Sequence, residues 1–242
     1  MTAYQRQLAT LFENKGGVYF DDVTRQTGAG TGSYSTVTWG TGVVDFDNDG
    51  HRDIFIACGH LIDNVEQFDD TTSYCARNIL LRNNGQGKFV NVSDQCGDGL
   101  LPKLSSRGAA FDDLDNDGYV DVVVLNSRRE PTILRNVSSH TNHWIQVQLR
   151  GTKTNRDGIG AHVTVKAGDL TQLDEVHSGR SYQSDFGKRL YFGIGQRQKV
   201  DQIQVKWIGG GTDVVRDVGV DRLVTIVEGV GLAKSPVAVG SQ

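Results

Sequence analysis

Two acidic segments of the chain place carboxylates at a spacing suited to binding a metal ion. The first reads VVDFDNDGHRDIFIACGH from Val43, and the second reads FDDLDNDGYVDVVVLN from Phe111. Both match the pattern D-x-D-x-D-G-x-x-D, with four aspartates in nine residues. These aspartates are Asp45, Asp47, Asp49 and Asp53 in the first segment and Asp113, Asp115, Asp117 and Asp121 in the second.

The spacing predicts one Ca²⁺ site in each segment. Hard cations of this kind take six to eight oxygen ligands at about 2.3–2.6 Å. Carboxylates at alternate positions of a curled loop converge on one point, and Gly50 and Gly118 permit the sharp turn. The main-chain carbonyls of His51 and Tyr119 fall where such loops offer a backbone oxygen. The last aspartate of each pattern is then expected to close the ligand shell.

The residues after each acidic segment predict a β-hairpin instead of a helix. The runs IFIAC and VVVLN are apolar and β-branched, as in buried strands. A helix–loop–helix calcium site has a bidentate glutamate at position twelve of its loop. Counted from Asp45 and Asp113, that position is Ile56 in the first segment and Val124 in the second, so neither segment is such a site. The alternative is a solvated aspartate-rich turn, but four crowded carboxylates would then repel one another. Mg²⁺ fits less well because it retains its waters.

Composition favours many short strands and argues against several classes of partner. The chain of 242 residues has 29 acidic and 25 basic residues, for a net charge of −4, which two Ca²⁺ ions would cancel. Only five acidic residues are glutamate, and glycine is frequent, as expected for strands joined by tight turns. The basic residues are scattered, so we expect no nucleic-acid partner. No apolar run reaches the roughly 18 residues of a membrane span.

The three cysteines allow two interpretations. Cys58, Cys75 and Cys96 form neither a metal motif nor an even set for disulfides. One bridge between Cys58 and Cys75 would close a short loop and leave one free thiol. Three buried thiols are an equally consistent alternative.

A longer repeat surrounds the acidic segments. NILLRNNGQGKFVNVSDQCG begins at Asn78, a weaker echo LFENKGGVYFDDVTRQTGAG begins at Leu11, and PTILRNVSS begins at Pro131. Each echo reads as a strand and an Asn/Gly turn, and the longer ones continue with an aromatic residue and Val-Ser or Val-Thr. A period of about 60–70 residues with about four strands is typical of a propeller blade.

The second half of the chain is predicted to form a separate β domain. HWIQVQL, AHVTVKA, RLYFGIG, DQIQVKWIG and RLVTIVEG alternate apolar and polar residues with a period of two. The turns between them are rich in glycine. We expect a small sandwich or barrel of about seven strands, with Trp144, Phe192 and Trp207 in its core.

The quoted residues resemble a known family. FDDLDNDGYVDVVVLN and LLRNNGQGKFVNVS are similar to the FG-GAP/VCBS repeats of integrin-type β-propellers. Residues 142–211, with N-R-D-G-I-G-A and R-L-x-F-G-I-G, resemble the ASPIC/UnbV domain that ends proteins of the cartilage acidic protein-like family and many secreted bacterial relatives. Cys58 and Ile208 depart from the family pattern. The resemblance implies an extracellular, calcium-binding propeller module.

The expected organisation is an all-β chain with two domains. Residues 1–139 are predicted as about two propeller blades, residues 140–232 as the ASPIC/UnbV domain and residues 233–242 as a flexible tail. Family propellers have about seven blades. The chain is therefore expected to be either a C-terminal fragment with missing blades or a part-propeller that closes as a homo-oligomer, since open blade edges invite strand pairing.

Other chemistry-bearing residues favour structural roles. His60 is expected to serve in the core or in hydrogen bonding, and Arg107 as a surface or blade-contact cation. His140 and His143 form H-x-x-H, but no acid or cysteine stands at zinc spacing.

Three functions remain open from the sequence. The first is a calcium-binding adhesion module, secreted, extracellular or periplasmic, that binds a protein or glycan while the metal is structural. The N-terminus lacks an apolar signal core, so a signal was removed or the chain stays inside the cell. The second is a metal-dependent biosynthetic or carbohydrate-active enzyme, which the association of UnbV-type relatives with enediyne clusters keeps open although no catalytic constellation is recognisable. The third is a self-assembling partial propeller.

Overall fold

Short strands and tight turns make up most of the chain, as its composition predicts. A computed structural model describes residues 1–139 and 141–233. The strands of the first half are β1 (Phe12–Asn14), β2 (Phe20–Asp22), β3 (Thr38–Val44), β4 (Asp53–Cys58), β5 (Ile79–Asn83), β6 (Phe89–Asn91), β7 (Ser106–Asp112), β8 (Asp121–Asn126) and β9 (Thr132–Leu134). Those of the second half are β10 (His143–Arg150), β11 (His162–Ala167), β12 (Leu170–Glu175), β13 (Arg189–Gly195), β14 (Lys199–Lys206), β15 (Thr212–Gly219), β16 (Arg222–Val227) and β17 (Gly231–Leu232).

Helix is scarce in the part of the chain that the structure describes. The α-helix α1 (Thr24–Thr27) has four residues, and two three-residue 3₁₀ turns lie at Val65–Gln67 and Ser93–Gln95. None of the described helices is long and apolar enough to cross a membrane. The all-β prediction is confirmed.

The chain divides into two compact units, and each unit is made of more than one segment of the sequence. The first unit contains residues 1–47, 51–139 and 179–186. Of the described residues, the second contains 48–50, 141–178 and 187–233. The predicted tail lies outside the described residues apart from Ala233, and so does His140 of the H-x-x-H pair.

The first unit is built from blade-like sheets. Strands β3-β4-β5-β6 form a four-stranded sheet, β7-β8-β9 form a three-stranded sheet and β1-β2 form a hairpin. Val44 of β3 is opposite Asp53 of β4, and Asp112 of β7 is opposite Asp121 of β8. Each acidic loop therefore joins the two strands of one hairpin, as predicted.

Apolar side chains from neighbouring sheets pack together inside the first unit. Strand β4 is buried along its whole length. Phe111 is the centre of an aromatic group, with Phe55 and Phe186 at ring-centroid distances of 5.7 and 4.9 Å. Gly42 lies directly against the Phe111 ring, where a Cβ atom would clash. The glycine therefore lets two hairpins approach closely.

The three cysteines are free thiols, so the Cys58–Cys75 bridge, one of the two alternatives from the sequence, is absent. Only Cys58 is buried, while Cys75 is partly buried and Cys96 is exposed. The alternative of three buried thiols is therefore also wrong. Burial raises the pKa of the Cys58 thiol to about 12, because the apolar surroundings disfavour the thiolate.

His60 and Arg107 both have structural roles in the first unit. His60 is buried; its Nε2 lies 3.2 Å from the Tyr4 hydroxyl, and its Nδ1 accepts a hydrogen bond from the Ile62 N–H at 3.0 Å. Arg107 stacks 4.5 Å over the Trp39 ring and donates to the His60 carbonyl at 2.8 Å. The side chains hold main-chain segments in place.

The second unit contains two four-stranded sheets, ordered β13-β10-β16-β17 and β12-β11-β14-β15. Neither closes into a barrel among the described residues, so the sandwich alternative holds, with eight strands instead of about seven. Phe192 and Trp207 are in the buried core, as predicted. Trp144 is only partly buried, so its assignment to the core is wrong. Its strand is still central, since β10 pairs with both β13 and β16.

A buried carboxylate fixes one loop of the second unit. Glu228 is 7% exposed and accepts hydrogen bonds from the main-chain N–H groups of Thr152, Lys153 and Thr154 at 2.8–2.9 Å. Burial alone favours the neutral carboxyl, but the N–H donors together outweigh it and lower the pKa of Glu228 to about 2. The ionised side chain therefore ties the loop to the end of β16.

We predict that Glu228→Gln lowers the melting temperature at pH 7 and flattens its dependence on acid pH. A depressed folded-state pKa contributes stability that is full above the unfolded value near 4.5 and is lost as pH falls through about 2. Melting curves from pH 7 to pH 2 test this, with Glu130→Gln at an exposed position as control. Parallel pH profiles for wild type and Glu228→Gln would contradict it.

Candidate metal centres

The two acidic loops adopt the same backbone conformation. Asn48 and Asn116 have φ values of 56° and 59°, and Gly50 and Gly118 have φ values of 94° and 96°. These left-handed values suit the residues present, since glycine lacks a Cβ atom and asparagine tolerates this conformation better than most residues. The same turn at the same pattern position shows that the repeat in sequence is also a repeat in geometry.

Three carboxylates converge in each loop. The ligand oxygens of Asp45, Asp47 and Asp49 lie within 4.8 Å of one another, as do those of Asp113, Asp115 and Asp117. A donor set made only of oxygens fits a hard cation such as Ca²⁺ better than a soft metal, which prefers sulfur or nitrogen. Each cluster can hold a metal ion.

Hydrogen bonds inside the second loop hold its curl. The carboxylate of Asp113 accepts from the N–H groups of Asp117 at 3.1 Å and Gly118 at 2.9 Å. Asp117 in turn accepts from the Tyr119 N–H at 2.9 Å. The loop is therefore shaped by its own main chain as well as by any bound ion.

The last aspartate of each pattern lies outside the three-membered clusters. In the first loop, Asp53 Oδ1 accepts from the Asn83 N–H at 2.8 Å, and Asp53 Oδ2 accepts from the Phe46 N–H at 3.1 Å. Asn83 is the last residue of β5, so this carboxylate joins the acidic hairpin to the third strand of its sheet.

The second loop repeats this arrangement. Asp121 Oδ1 accepts from the Asn136 N–H at 2.7 Å, and Asp121 Oδ2 accepts from the Leu114 N–H at 2.9 Å. This linking role was not predicted from the sequence, although an Arg-Asn pair ends the third strand of the first sheet and follows that of the second. Metal ligation by Asp53 and Asp121 stays a prediction.

The predicted carbonyl ligands come directly after the loop glycines. His51 is next to Gly50, with its ring beside Gly85, and Tyr119 is next to Gly118. The contribution of either carbonyl to an ion stays a prediction.

Arg135 partly offsets the negative charge of the second loop. Arg135 Nε lies 2.7 Å from Asp115 Oδ2, and its Nη2 lies 3.7 Å from Asp117 Oδ2. The pKa of Asp121 is raised, first by burial and further by the negative charges of Asp115 and Asp117. Hydrogen bonds from the N–H groups of Asn136 and Leu114 act in the opposite direction. A bound cation would offset this repulsion.

Comparison with known proteins finds two matching families. Residues 45–124 match the FG-GAP-like repeat, and residues 151–233 match the family described as ASPIC and UnbV. Cartilage acidic protein 1 of Mus musculus is 25% identical over 190 residues, covering 76% of this chain and 27% of that protein. The Homo sapiens protein of the same name is 26% identical over 172 residues, covering 69% and 24%. The chain spans about a quarter of the length of these relatives, and the homology is distant.

We predict that Arg135→Gln tightens metal binding by the second loop by roughly 1.4-fold to fivefold. The exposed ion pair competes with a cation for Asp115 and Asp117, and such pairs contribute about 0.2–1 kcal/mol. Calorimetric titration with Ca²⁺ at low ionic strength measures the change. Arg216→Gln, which removes the same charge from a residue that contacts Gln202, serves as control. Equal affinities in the two variants would contradict the competition.

Proposed function

We propose that this chain, which carries an FG-GAP-like repeat followed by an ASPIC/UnbV domain, is a calcium-stabilised binding module of the extracellular adhesion type. The observation that carries the proposal is the convergence of three carboxylates in each of two loops of matching conformation. In this proposal the sequence-predicted residues bind two Ca²⁺ ions, one in each loop.

The metal has a structural role in this proposal. Carboxylates within 4.8 Å of one another repel in the absence of a cation, so an ion stabilises the curled loop. Asp53 and Asp121 connect each loop to a third strand. Stabilising the loop therefore stabilises the sheet as well, without any reaction at the metal.

A secreted or periplasmic location suits this role. Extracellular calcium modules bind with a Kd of about 10⁻⁴ M, and about 1 mM Ca²⁺ then stabilises the fold by roughly 1.4 kcal/mol per site. At the calcium levels inside cells such sites would stay largely empty.

A polar cleft in the first unit offers a surface for the ligand. Its volume is about 380 Å³, and its lining is rich in hydroxyl, amide and charged side chains. The lining includes Thr36, Ser73, Asn78, Asn91 and Lys103. Such a lining favours a polar ligand, either a protein segment or a glycan, over an apolar small molecule.

We predict that the chain binds two Ca²⁺ ions and that EDTA lowers its melting temperature by roughly 3–6 °C per site. Asp47→Asn should remove the first site and Asp115→Asn the second, since each substitution takes a carboxylate from one cluster only. Calorimetric stoichiometry and melting curves measure both effects.

The matched control is Asp98→Asn, an exposed aspartate outside both loops. It should bind two ions and respond to EDTA like the wild type. The double variant Asp47→Asn/Asp115→Asn should bind none. A melting temperature that is the same with Ca²⁺ and EDTA in the wild type would overturn the proposal.

A further inference from the structure

The sheet β12-β11-β14-β15 of the second unit has one face in the core and one face outside it. Along β11, the side chains of Val163 and Val165 belong to the buried core. Successive side chains of a strand point to opposite faces of its sheet. The partly or fully exposed residues His162, Thr164 and Lys166 therefore lie on the outer face.

Strand pairing aligns the residues of this outer face in three rows. In the middle row, Thr164 is opposite Leu173 of β12 and Gln204 of β14, and Gln204 is opposite Val214 of β15. The flanking rows are Glu175, His162, Lys206 and Thr212 on one side and Thr171, Lys166, Gln202 and Arg216 on the other. We call these twelve side chains the outer grid.

The outer grid carries positive charge, although the net charge of the chain is −4. Its three cations, Lys166, Lys206 and Arg216, are exposed. Its one carboxylate, on Glu175, lies 3.4 Å from Nε2 of His162. In the part of the chain that the structure describes, no carboxylate forms an ion pair with any of the three cations.

Other cations of the same unit are paired with carboxylates. Lys199 Nζ lies 3.1 Å from Asp201 Oδ1 and 3.4 Å from Asp217 Oδ1. Arg197 Nη2 lies 2.7 Å from Asp169 Oδ1. These pairs offset their own charge, whereas the cations of the outer grid leave positive charge over the middle of the sheet. A negatively charged ligand is therefore attracted to the grid.

The three cations are spaced to contact separate groups of one extended ligand. Lys166 and Arg216 are in the same row with one strand between them, so their Cα atoms are about 10 Å apart. Lys206 is four residues from Gln202 along β14, which places it about 13 Å from that row. This spacing suits a polymer with repeated anionic groups better than a single small anion.

Amide and hydroxyl side chains occupy the grid positions between the cations. Gln202 lies between Lys166 and Arg216 in their row, and Arg216 Nη1 donates to Gln202 Oε1 at 2.8 Å. Thr164 and Gln204 are neighbours in the middle row. Hydroxyl and amide groups both donate and accept hydrogen bonds, so they match a ligand that is rich in hydroxyl groups.

The composition of the outer grid argues against two other polyanionic partners. None of its twelve side chains is aromatic, so it offers no platform for stacking the bases of a single-stranded nucleic acid. Its three cations are fewer than the four to eight that are typical of a polybasic membrane-binding segment. A hydroxyl-rich polyanion remains the best match.

We propose that the outer grid binds an extended anionic polysaccharide that bears sulfate or carboxylate groups. Lys166, Lys206 and Arg216 bind the anionic groups through charge-assisted hydrogen bonds, and the amide and hydroxyl side chains bind the ring hydroxyls. None of the twelve side chains belongs to an acidic loop or to the polar cleft of the first unit. The site therefore goes beyond the proposed calcium function.

The first test measures binding of the full chain to dextran sulfate, with dextran of the same length as the uncharged control. Dextran sulfate should bind at least about tenfold more tightly than dextran. Its affinity should fall by about tenfold or more between 50 and 200 mM salt, because binding releases counterions from the polyanion. Dextran sulfate that binds no more tightly than dextran overturns the proposal.

The triple variant Lys166→Gln/Lys206→Gln/Arg216→Gln tests the grid itself. It should weaken binding of dextran sulfate by about tenfold or more, because it removes all three charged contacts. Its melting temperature should stay close to that of the wild type, since the three side chains are exposed. Unchanged affinity in this variant contradicts the proposal.

The matched control is Arg150→Gln/Lys153→Gln/Arg156→Gln. It removes the same charge from exposed positions of the second unit that lie outside the grid. Its affinity for dextran sulfate should stay within about twofold of the wild type. Equal losses in the two triple variants would show that binding follows net charge alone, which overturns the assignment to the grid.

Footprinting of the wild type tests the same site without any substitution. Dextran sulfate should protect Lys166 and Lys206 from acetylation more than it protects Lys153, as measured by mass spectrometry. Equal protection of the three lysines contradicts the proposal. Double-stranded DNA or polyglutamate that binds more tightly than dextran sulfate at equal charge would also overturn the assignment to a polysaccharide.

Calcium separates this inference from the proposed function. The affinity for dextran sulfate should be the same in Ca²⁺ and in EDTA, at a temperature where the chain is folded in both. A chain that binds dextran sulfate through the grid but binds no calcium would overturn the calcium function alone. A chain that binds two calcium ions but no dextran sulfate would overturn this inference alone.

Discussion

The first unit depends on one repeated interaction, a carboxylate that accepts two main-chain N–H groups at the end of an acidic hairpin. Asp53 and Asp121 each accept one bond from within their own loop and one from a residue at the end of the third strand or just beyond it. The strands are short, and β9 has only three residues. A charged acceptor that spans two segments therefore adds strong hydrogen bonds to the few ladder bonds that align them.

This interaction separates the aspartates of each loop into two groups. The three at alternate positions converge within 4.8 Å and provide the charge and oxygen atoms that a hard cation requires. The fourth is engaged by the main chain. In the proposed function, a cation would stabilise a loop that is held at its base and crowded with charge at its tip, because it would offset the repulsion between the carboxylates.

The sequence by itself determined the local features of this protein: the acidic loops, the hairpins around them, and the strands of the second unit, whose alternation of apolar and polar residues fixes which face is buried. Only the tertiary structure decided which groups meet over long separations. In the folded chain, the Asn83 N–H donates to Asp53, which lies 30 residues earlier in the sequence. Trp144 is only partly buried, and residues 179–186 belong to the first unit. The physical reason is that periodicity and turn chemistry act between neighbours along the chain. The partner of a carboxylate or an aromatic ring depends on which distant segment packs against it.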